Sequence, residues 1–150
     1  MLQVMTTSVS AGIPMHLDPS AFVADSELVE ALSRRAVSFV CDSDRVLFRQ
    51  GETPNGIYLV QQGMATLSMA AASGERILEF DTTAGALLGL PGLVSNQPYT
   101  LTALARAGAR IGFISNVNFA EFMKSSPSLG FKILQVLAAE VSAARRAMSE

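Results

Sequence analysis

Four glycines recur at nearly constant spacing through the middle of the chain. Gly51, Gly63, Gly74 and Gly85 are separated by 12, 11 and 11 residues, and segments rich in strand formers fill the intervals. Because glycine permits the positive φ angles that tight turns between strands require, such regular turn signals are typical of antiparallel sandwiches and barrels. The spacing therefore predicts a mainly β domain. Its strands are expected in the segments AVSFVC, RVLFRQ, GIYLVQQ, MATLSMA, ERILEF, TLTALA and RIGFIS.

Helical patterns flank this strand region on both sides. Apolar residues recur with helical spacing between Asp25 and Arg35, with Ser26 as the expected N-cap. The segment NVNFAEFMK predicts a later helix, in which two phenylalanines and a methionine share one face. Pro127 is expected to stop or restart the chain, and a long terminal helix follows it.

Length and composition indicate one domain. A chain of 150 residues, of which 49% are apolar and 16% are charged, can bury a sizeable core and is not generally disordered. We divide it into an irregular N-terminus over residues 1–17, a helix with a β-roll over 18–127, and a C-terminal dimerisation helix over 128–150.

Charge and residue types exclude several classes of function. With 11 Lys and Arg against 13 Asp and Glu, the chain lacks the basic excess that binds a phosphate backbone, so it is not expected to contact nucleic acid directly. The chain has one cysteine, Cys41, which we expect to be an inert core thiol, and one histidine, His16. Two such residues supply neither a catalytic set nor a metal or haem site. We therefore expect no enzyme and no metal. The N-terminus is a poor secretory signal and the uncharged passages are interrupted, which predicts no membrane span and a cytoplasmic location.

The terminal helix carries an apolar stripe with coiled-coil spacing. Its a and d positions, separated by 3, 4, 3 and 4 residues, are Leu134, Leu137, Val141, Ala144 and Met148. This register places Glu140 at g and Arg145 at the following e, where they are expected to form a contact between chains. A helix that packs on its own barrel would show a similar stripe. The high apolar content and the small Ala144 favour a homodimer.

The glycine framework has a counterpart in a known family. It comprises FRQGETPNGIYLVQQGMATL at residues 48–67, the Gly74 hairpin, and Gly85 followed by Leu88 and Gly89. Together with a short helical turn at 90–94 and the long terminal helix, it resembles the cyclic nucleotide-binding domain. More narrowly, it is similar to the effector half of the cyclic AMP receptor and fumarate-nitrate regulator superfamily (CRP/FNR). The resemblance covers about residues 20–148 and implies a double-stranded β-helix, or jelly roll, with flanking N-terminal and long C-terminal helices.

The resemblance also implies a ligand site, with two substitutions in it. The family holds a cyclic phosphate in a cassette that begins Phe-Gly-Glu and ends in Arg-Ser/Thr-Ala; here Leu90 stands in place of the glutamate and Tyr99 in place of the arginine. Losing the charge-assisted arginine contact forfeits on the order of 2 to 3 kcal/mol. Weak or no binding of cyclic AMP itself is therefore expected. The ligand-binding residues that the resemblance implies are Gly89, Leu90, Gly92, Leu93, Tyr99 and Thr100.

Two functions remain open from the sequence. The first is a non-enzymatic regulatory domain in signal transduction, a homodimer that responds to a cyclic nucleotide or another small ligand. In that case Arg76 or Arg106 could supply the missing positive charge, although most surface arginines are merely solvated. In DNA-binding relatives, such a domain reorients an attached helix-turn-helix, which here would follow Glu150. The second is a structural dimer module with a closed, ligand-free pocket that acts through a protein partner.

Overall fold

A computed structural model describes residues 16–149 and shows two four-stranded antiparallel sheets. One sheet has the strand order β1-β8-β3-β6 and the other has the order β2-β7-β4-β5. The strands are β1 Val37–Val40, β2 Arg45–Phe48, β3 Gly56–Gln62, β4 Ala65–Ala70, β5 Arg76–Thr82, β6 Leu87–Leu88, β7 Thr102–Ala105 and β8 Arg110–Ser115. This arrangement confirms the predicted mainly β jelly-roll fold. Most of the N-terminal segment predicted to be irregular, residues 1–15, lies outside the described residues.

The regularly spaced glycines occupy the turns that their spacing predicts. Gly51, Gly63, Gly74 and Gly85 have φ angles between 85° and 96°, a region that other residues rarely adopt. Gly63 joins β3 to β4, and Gly74 lies in the turn between β4 and β5. The regular spacing of these glycines in the sequence therefore corresponds to turns with positive φ in the structure.

Within residues 16–149, four α-helices and a short 3-10 helix pack beside the sheets. They are α1 Ser26–Ser33, α2 Leu90–Ser95, α3 Asn116–Ser125 and α4 Pro127–Ser149, and the 3-10 helix is Pro19–Phe22. The expectation that Ser26 caps α1 is wrong, because Ser26 is already the first helical residue. Asp25 is the N-cap, and its side chain accepts a hydrogen bond of 2.9 Å from the backbone N–H of Leu28. Asp25 also pairs with Lys132, which fastens α1 to α4.

The core has two compartments that share strand β3. Tyr58 and Val60 face the interior of the β-roll, whereas Ile57 and Leu59 face the helices, as the alternation of side chains along a strand requires. The helix-side compartment is completed by residues of α1, α3 and α4, including the predicted pair Phe119 and Phe122. Burial on both faces explains why β3 reads as a continuous apolar run.

Cys41 follows β1 and is 2% exposed. Burial raises the pKa of its thiol, which keeps the less reactive neutral form in place. The prediction of a core thiol is confirmed. Within residues 16–149, none of the helices is both long enough and apolar enough to cross a membrane.

Candidate functional site

A cavity of about 420 Å³ lies between the β-roll, the segment that contains α2, and α4. Its apolar wall includes Leu17, Phe22, Phe48, Leu67, Met69, Ile77, Leu78 and Leu101. Residues 88–100, which correspond to the family's cassette and are called the cassette below, contribute Gly89, Pro91, Gly92, Tyr99 and Thr100. Helix α4 contributes Glu140, Val141, Ala144 and Met148. A concave, mostly apolar space of this size with few polar groups is the usual form of a small-molecule site.

The backbone of the cassette depends on glycine at position 89. Gly89 is the N-cap of α2 and has a φ of 90°. A Cβ atom at this position would lie 2.8 Å from Cε1 of Tyr99, closer than van der Waals contact allows. Pro91 is accommodated because it lies in the first turn of α2, where its missing N–H has no helical acceptor. The helix ends after one and a half turns at Asn96, which is left-handed with a φ of 58°.

The structure brings four of the six predicted ligand-binding residues to the cavity. Gly89, Gly92, Tyr99 and Thr100 all line it. Leu90 does not, because its side chain is fully buried in the helix-side core, and Leu93 packs against the same core. The expectation that the Leu90 side chain faces the ligand is therefore corrected. Ligand contact by the other four residues stays a prediction.

Tyr99 points inward and its hydroxyl is already bonded. The ring is 3% exposed and stacks on Phe48 at a centroid distance of 3.9 Å. The hydroxyl donates a hydrogen bond of 2.7 Å to the carbonyl oxygen of Gly56. Burial raises the pKa of the Tyr99 hydroxyl, so the group stays neutral at physiological pH. Tyr99 thus braces the cassette against β3 and supplies no positive charge.

Replacing Tyr99 by phenylalanine tests this bracing role. We expect Tyr99→Phe to lower the free energy of unfolding by about 1 to 3 kcal/mol, because the buried carbonyl of Gly56 loses its donor. Urea denaturation followed by circular dichroism would measure the loss. The matched control is Tyr58→Phe, since Tyr58 belongs to the same aromatic group but lines a separate cavity. Equal losses in the two variants would contradict the assignment of this bond.

No basic side chain lines the cavity among residues 16–149. Arg76 pairs with Glu79 at 2.5 Å on the surface of β5. Arg106 pairs with Asp44 at 3.0 Å and donates a bond of 2.9 Å to the hydroxyl of Thr66. Both arginines are therefore engaged with other groups, and neither replaces the charge of the family's arginine.

The cavity wall instead contains a buried acid, Glu140. It is 5% exposed, and its Oε2 atom has no hydrogen-bond partner. Burial raises the pKa of Glu140 to about 8, so the carboxyl is mostly protonated at neutral pH. Its predicted g position, facing Arg145 of another chain, is wrong because this face of α4 is turned toward its own chain, where Glu140 is buried at the cavity wall.

The sequence does contain a pattern that indicates the burial of Glu140. Its face of α4 carries the buried residues Ile133, Val136, Glu140, Ala143 and Ala147, which are separated by 3, 4, 3 and 4 residues. This second stripe has the same spacing as the predicted seam. An acid in the middle of an apolar stripe indicates an inward-facing carboxyl.

Three of the five residues of the predicted seam lie on the exposed side of α4, and the other two are partly buried. Leu134, Val141 and Met148 are 50%, 46% and 67% exposed, whereas Leu137 packs partly against the helix-side core and Ala144 is half-buried in the cavity wall. Phe131, which the sequence interpretation missed, is 62% exposed. The exposed apolar stripe is therefore Phe131, Leu134, Val141 and Met148. Because Val141 and Met148 also line the cavity, the cavity reaches the outer surface beside this stripe.

Comparison with solved structures shows the same fold in several other proteins. The Thermus thermophilus catabolite activator protein superposes with a TM-score of 0.73 at 17% identity, over 88% of this chain and 62% of that one. A structure from work on a cyclic-GMP-dependent signalling pathway that regulates bacterial phytopathogenesis gives 0.70 at 16% identity, over 80% and 95%. Reduced CprK without any ligand gives 0.70 at 15% identity, over 85% and 60%.

The chain thus spans less than two thirds of the length of the Thermus protein. None of the curated protein sequences is significantly similar to it. Residues 39–126, more than half of the chain, match the family model of the cyclic nucleotide-binding domain. The match begins in β1 and ends just before α4, so it includes the whole cassette and seven complete strands. The chain belongs to the cyclic nucleotide-binding domain family.

Proposed function

We propose that this chain is a non-enzymatic sensor domain that binds a small, mainly apolar molecule and regulates a partner in the cytoplasm. The observation that carries the proposal is the cavity of about 420 Å³ between the cassette and α4, which the side chains of Leu90 and Tyr99 leave open. A wall this apolar favours ligands that bury hydrocarbon or aromatic surface. Its position matches the place where the family resemblance implies a ligand.

A cyclic nucleotide is a poor occupant of this cavity. Its phosphodiester carries a negative charge, and the only ionisable groups in the wall among residues 16–149 are the Glu140 carboxyl and the Tyr99 hydroxyl. Burying that charge without a basic partner costs more than the contacts with backbone N–H groups can recover. We therefore propose that the domain binds cyclic AMP weakly or not at all.

The sensor is proposed to act as a homodimer through α4. The exposed apolar stripe gives two copies of the helix a surface to bury, at the spacing that parallel helices use. Val141 and Met148 belong both to this stripe and to the cavity wall. A ligand that displaces these side chains would change how the two helices pair. This coupling could transmit the signal to a following domain, as in transcription regulation.

A second candidate is a dimer module that needs no ligand. The specific observation in its favour is the exposed apolar stripe on α4, which could serve a protein partner regardless of the cavity. The two candidates differ in one measurable property, because only the sensor binds a small molecule inside the roll.

A cavity-filling substitution distinguishes the two candidates. We expect 4-phenylbutanol to bind the wild type with about millimolar affinity or better, because it buries an aromatic ring in the apolar wall. Met69→Trp should abolish this binding by filling the cavity, whereas Met64→Trp should preserve it, since Met64 lies outside the wall and is 39% exposed. Protein-observed NMR titration, with cyclic AMP as a parallel ligand, measures both. Binding that survives Met69→Trp, or no binding by the wild type, would contradict the sensor function.

A further inference from the structure

Glu140 gives the cavity a chemical preference beyond apolarity. Its carboxyl is the one acid in the wall formed by residues 16–149, and its Oε2 atom is buried without a hydrogen-bond partner. Buried polar atoms in folded proteins are nearly always bonded, so an orphaned oxygen at a cavity wall points to a group that is supplied from outside. A ligand with a hydrogen-bond donor at this position would satisfy it.

We propose that the cavity selects an apolar molecule that carries a basic nitrogen, and that Glu140 is the residue that recognises this nitrogen. The inference rests on the proposed function, since it names the chemical class that the same cavity takes. An ammonium group donates the hydrogen bond that Oε2 lacks and also brings the opposite charge. The rest of the ligand fills the apolar wall.

The composition of the wall favours a cation over the two alternatives. Phe22, Phe48 and Tyr99 also line the cavity, and aromatic rings attract an ammonium group wherever a ring face is open to it. A carboxylate ligand would place a second acid beside Glu140 with no basic group in the described wall. A neutral alcohol could bond to Oε2 but would gain nothing from its charge. The preference should therefore run from the amine through the alcohol to the acid.

Charged groups on the neighbouring elements do not take over the role of the ligand. The elements packed against α4 carry Asp18 before the 3-10 helix, Asp25, Glu27, Glu30, Arg34 and Arg35 on or next to α1, and Glu121 and Lys124 on α3. On α4 itself, Lys132 pairs with Asp25 and Glu27, and Arg145 and Arg146 lie on the exposed surface. None of these groups perturbs Glu140, because burial is the only cause of its raised pKa.

Pairing of an ammonium group with Glu140 makes the binding affinity depend on pH, which simple hydrophobic binding does not. Below pH 8, Glu140 is mostly protonated and must lose its proton to pair with an ammonium group. The affinity for an amine should therefore rise with pH and level off above that value. Between pH 6 and pH 8 we expect an increase of at least about tenfold, because each pH unit below the pKa lowers the carboxylate fraction nearly tenfold.

The experiment compares three probes of equal size by calorimetry at pH 6 and pH 8. They are 4-phenylbutylamine, 4-phenylbutanol and 4-phenylbutyrate. In the wild type, the amine should bind at least about tenfold more tightly than the alcohol at pH 8, and the amine alone should gain affinity from pH 6 to pH 8. Glu140→Gln, which keeps the shape of the side chain, should bring the affinity for the amine to that for the alcohol or below it, because an ammonium group would then be buried without a counter-charge, and should remove the pH dependence. Glu121→Gln, on the exposed surface of α3, should behave as the wild type.

The possible failures are distinguishable. If the alcohol binds but the amine binds no better, or if Glu140→Gln keeps the full preference for the amine, the role of Glu140 is overturned while the sensor function stands. If none of the three probes binds at either pH, the sensor function is overturned together with the inference.

Discussion

Leu134→Glu is expected to convert the proposed dimer into a monomer. Leu134 is the second residue of the exposed apolar stripe and belongs to the predicted seam, and half of its surface is accessible in the single chain. In a parallel dimer the substitution would bring two carboxylates together at the seam while removing two leucines. We expect the dimer dissociation constant to rise by at least about 100-fold, because buried unpaired charges and lost apolar contacts each cost several kcal/mol. Sedimentation velocity over a range of concentrations measures the change.

The control for this experiment is Gln135→Glu, which adds the same charge to the next residue of α4, an exposed position off the stripe. This variant should remain dimeric. Leu137, the second residue of the predicted seam, is a poorer test because it packs partly against the helix-side core, where a glutamate would also destabilise the fold. A Leu134→Glu variant that stays dimeric would place the interface elsewhere, and a monomeric wild type would contradict the dimer itself.

Gly56→Ala is expected to cause the largest loss of stability among the glycine substitutions. A Cβ atom at this position would lie 2.2 Å from the carbonyl oxygen of Ile114 and 2.7 Å from the ring of Phe113. Gly56 begins β3 and pairs with Ser115 of β8, so the backbone cannot yield without breaking the sheet. We expect the free energy of unfolding to fall by about 3 kcal/mol or more. Urea denaturation measures it.

Gly74→Ala separates steric crowding from backbone strain. Gly74 has a φ of 92° but no atom within 4 Å of an added Cβ, so the substitution should cost only about 1 to 2 kcal/mol of conformational strain. A loss as large as that of Gly56→Ala would show that strain, and not close approach to β8, sets the cost.

The fold was predictable because its strongest constraints are local. Every connection between consecutive strands except β1–β2 contains a glycine with positive φ, and the glycine spacing therefore marks where the strands begin and end along the chain. The orientation of Leu90 was not predictable in this way, since α2 has fewer than two turns and either face could meet the cavity. The correspondence with the family identified the position of Leu90 in the chain but not its direction. Packing against the helix-side core decides that direction.

Glu140 and Phe131 were missed for different reasons. Helix α4 carries two stripes with the same 3 and 4 spacing, and the residue type of Glu140 led to its assignment to an exposed edge. Burial inside the same chain is a tertiary property that periodicity alone cannot distinguish from contact with another chain. Phe131 lies three residues before Leu134, at an e position of the predicted register, so an assignment limited to a and d positions did not include it.

The division of β3 between two compartments has a consequence for strand register. A slip by one residue would exchange Ile57 and Leu59 with Tyr58 and Val60, and both compartments would remain apolar, so hydrophobic pattern alone cannot reject the slip. Close contacts at the two ends of β3 exclude this slipped register. A side chain in place of Gly56 would strike β8, and one in place of Gly63 would come within 2.8 Å of the Cα atom of Ala109. Steric exclusion at Gly56 and Gly63 thus permits one register of β3, which the apolar pattern of the strand would not select by itself.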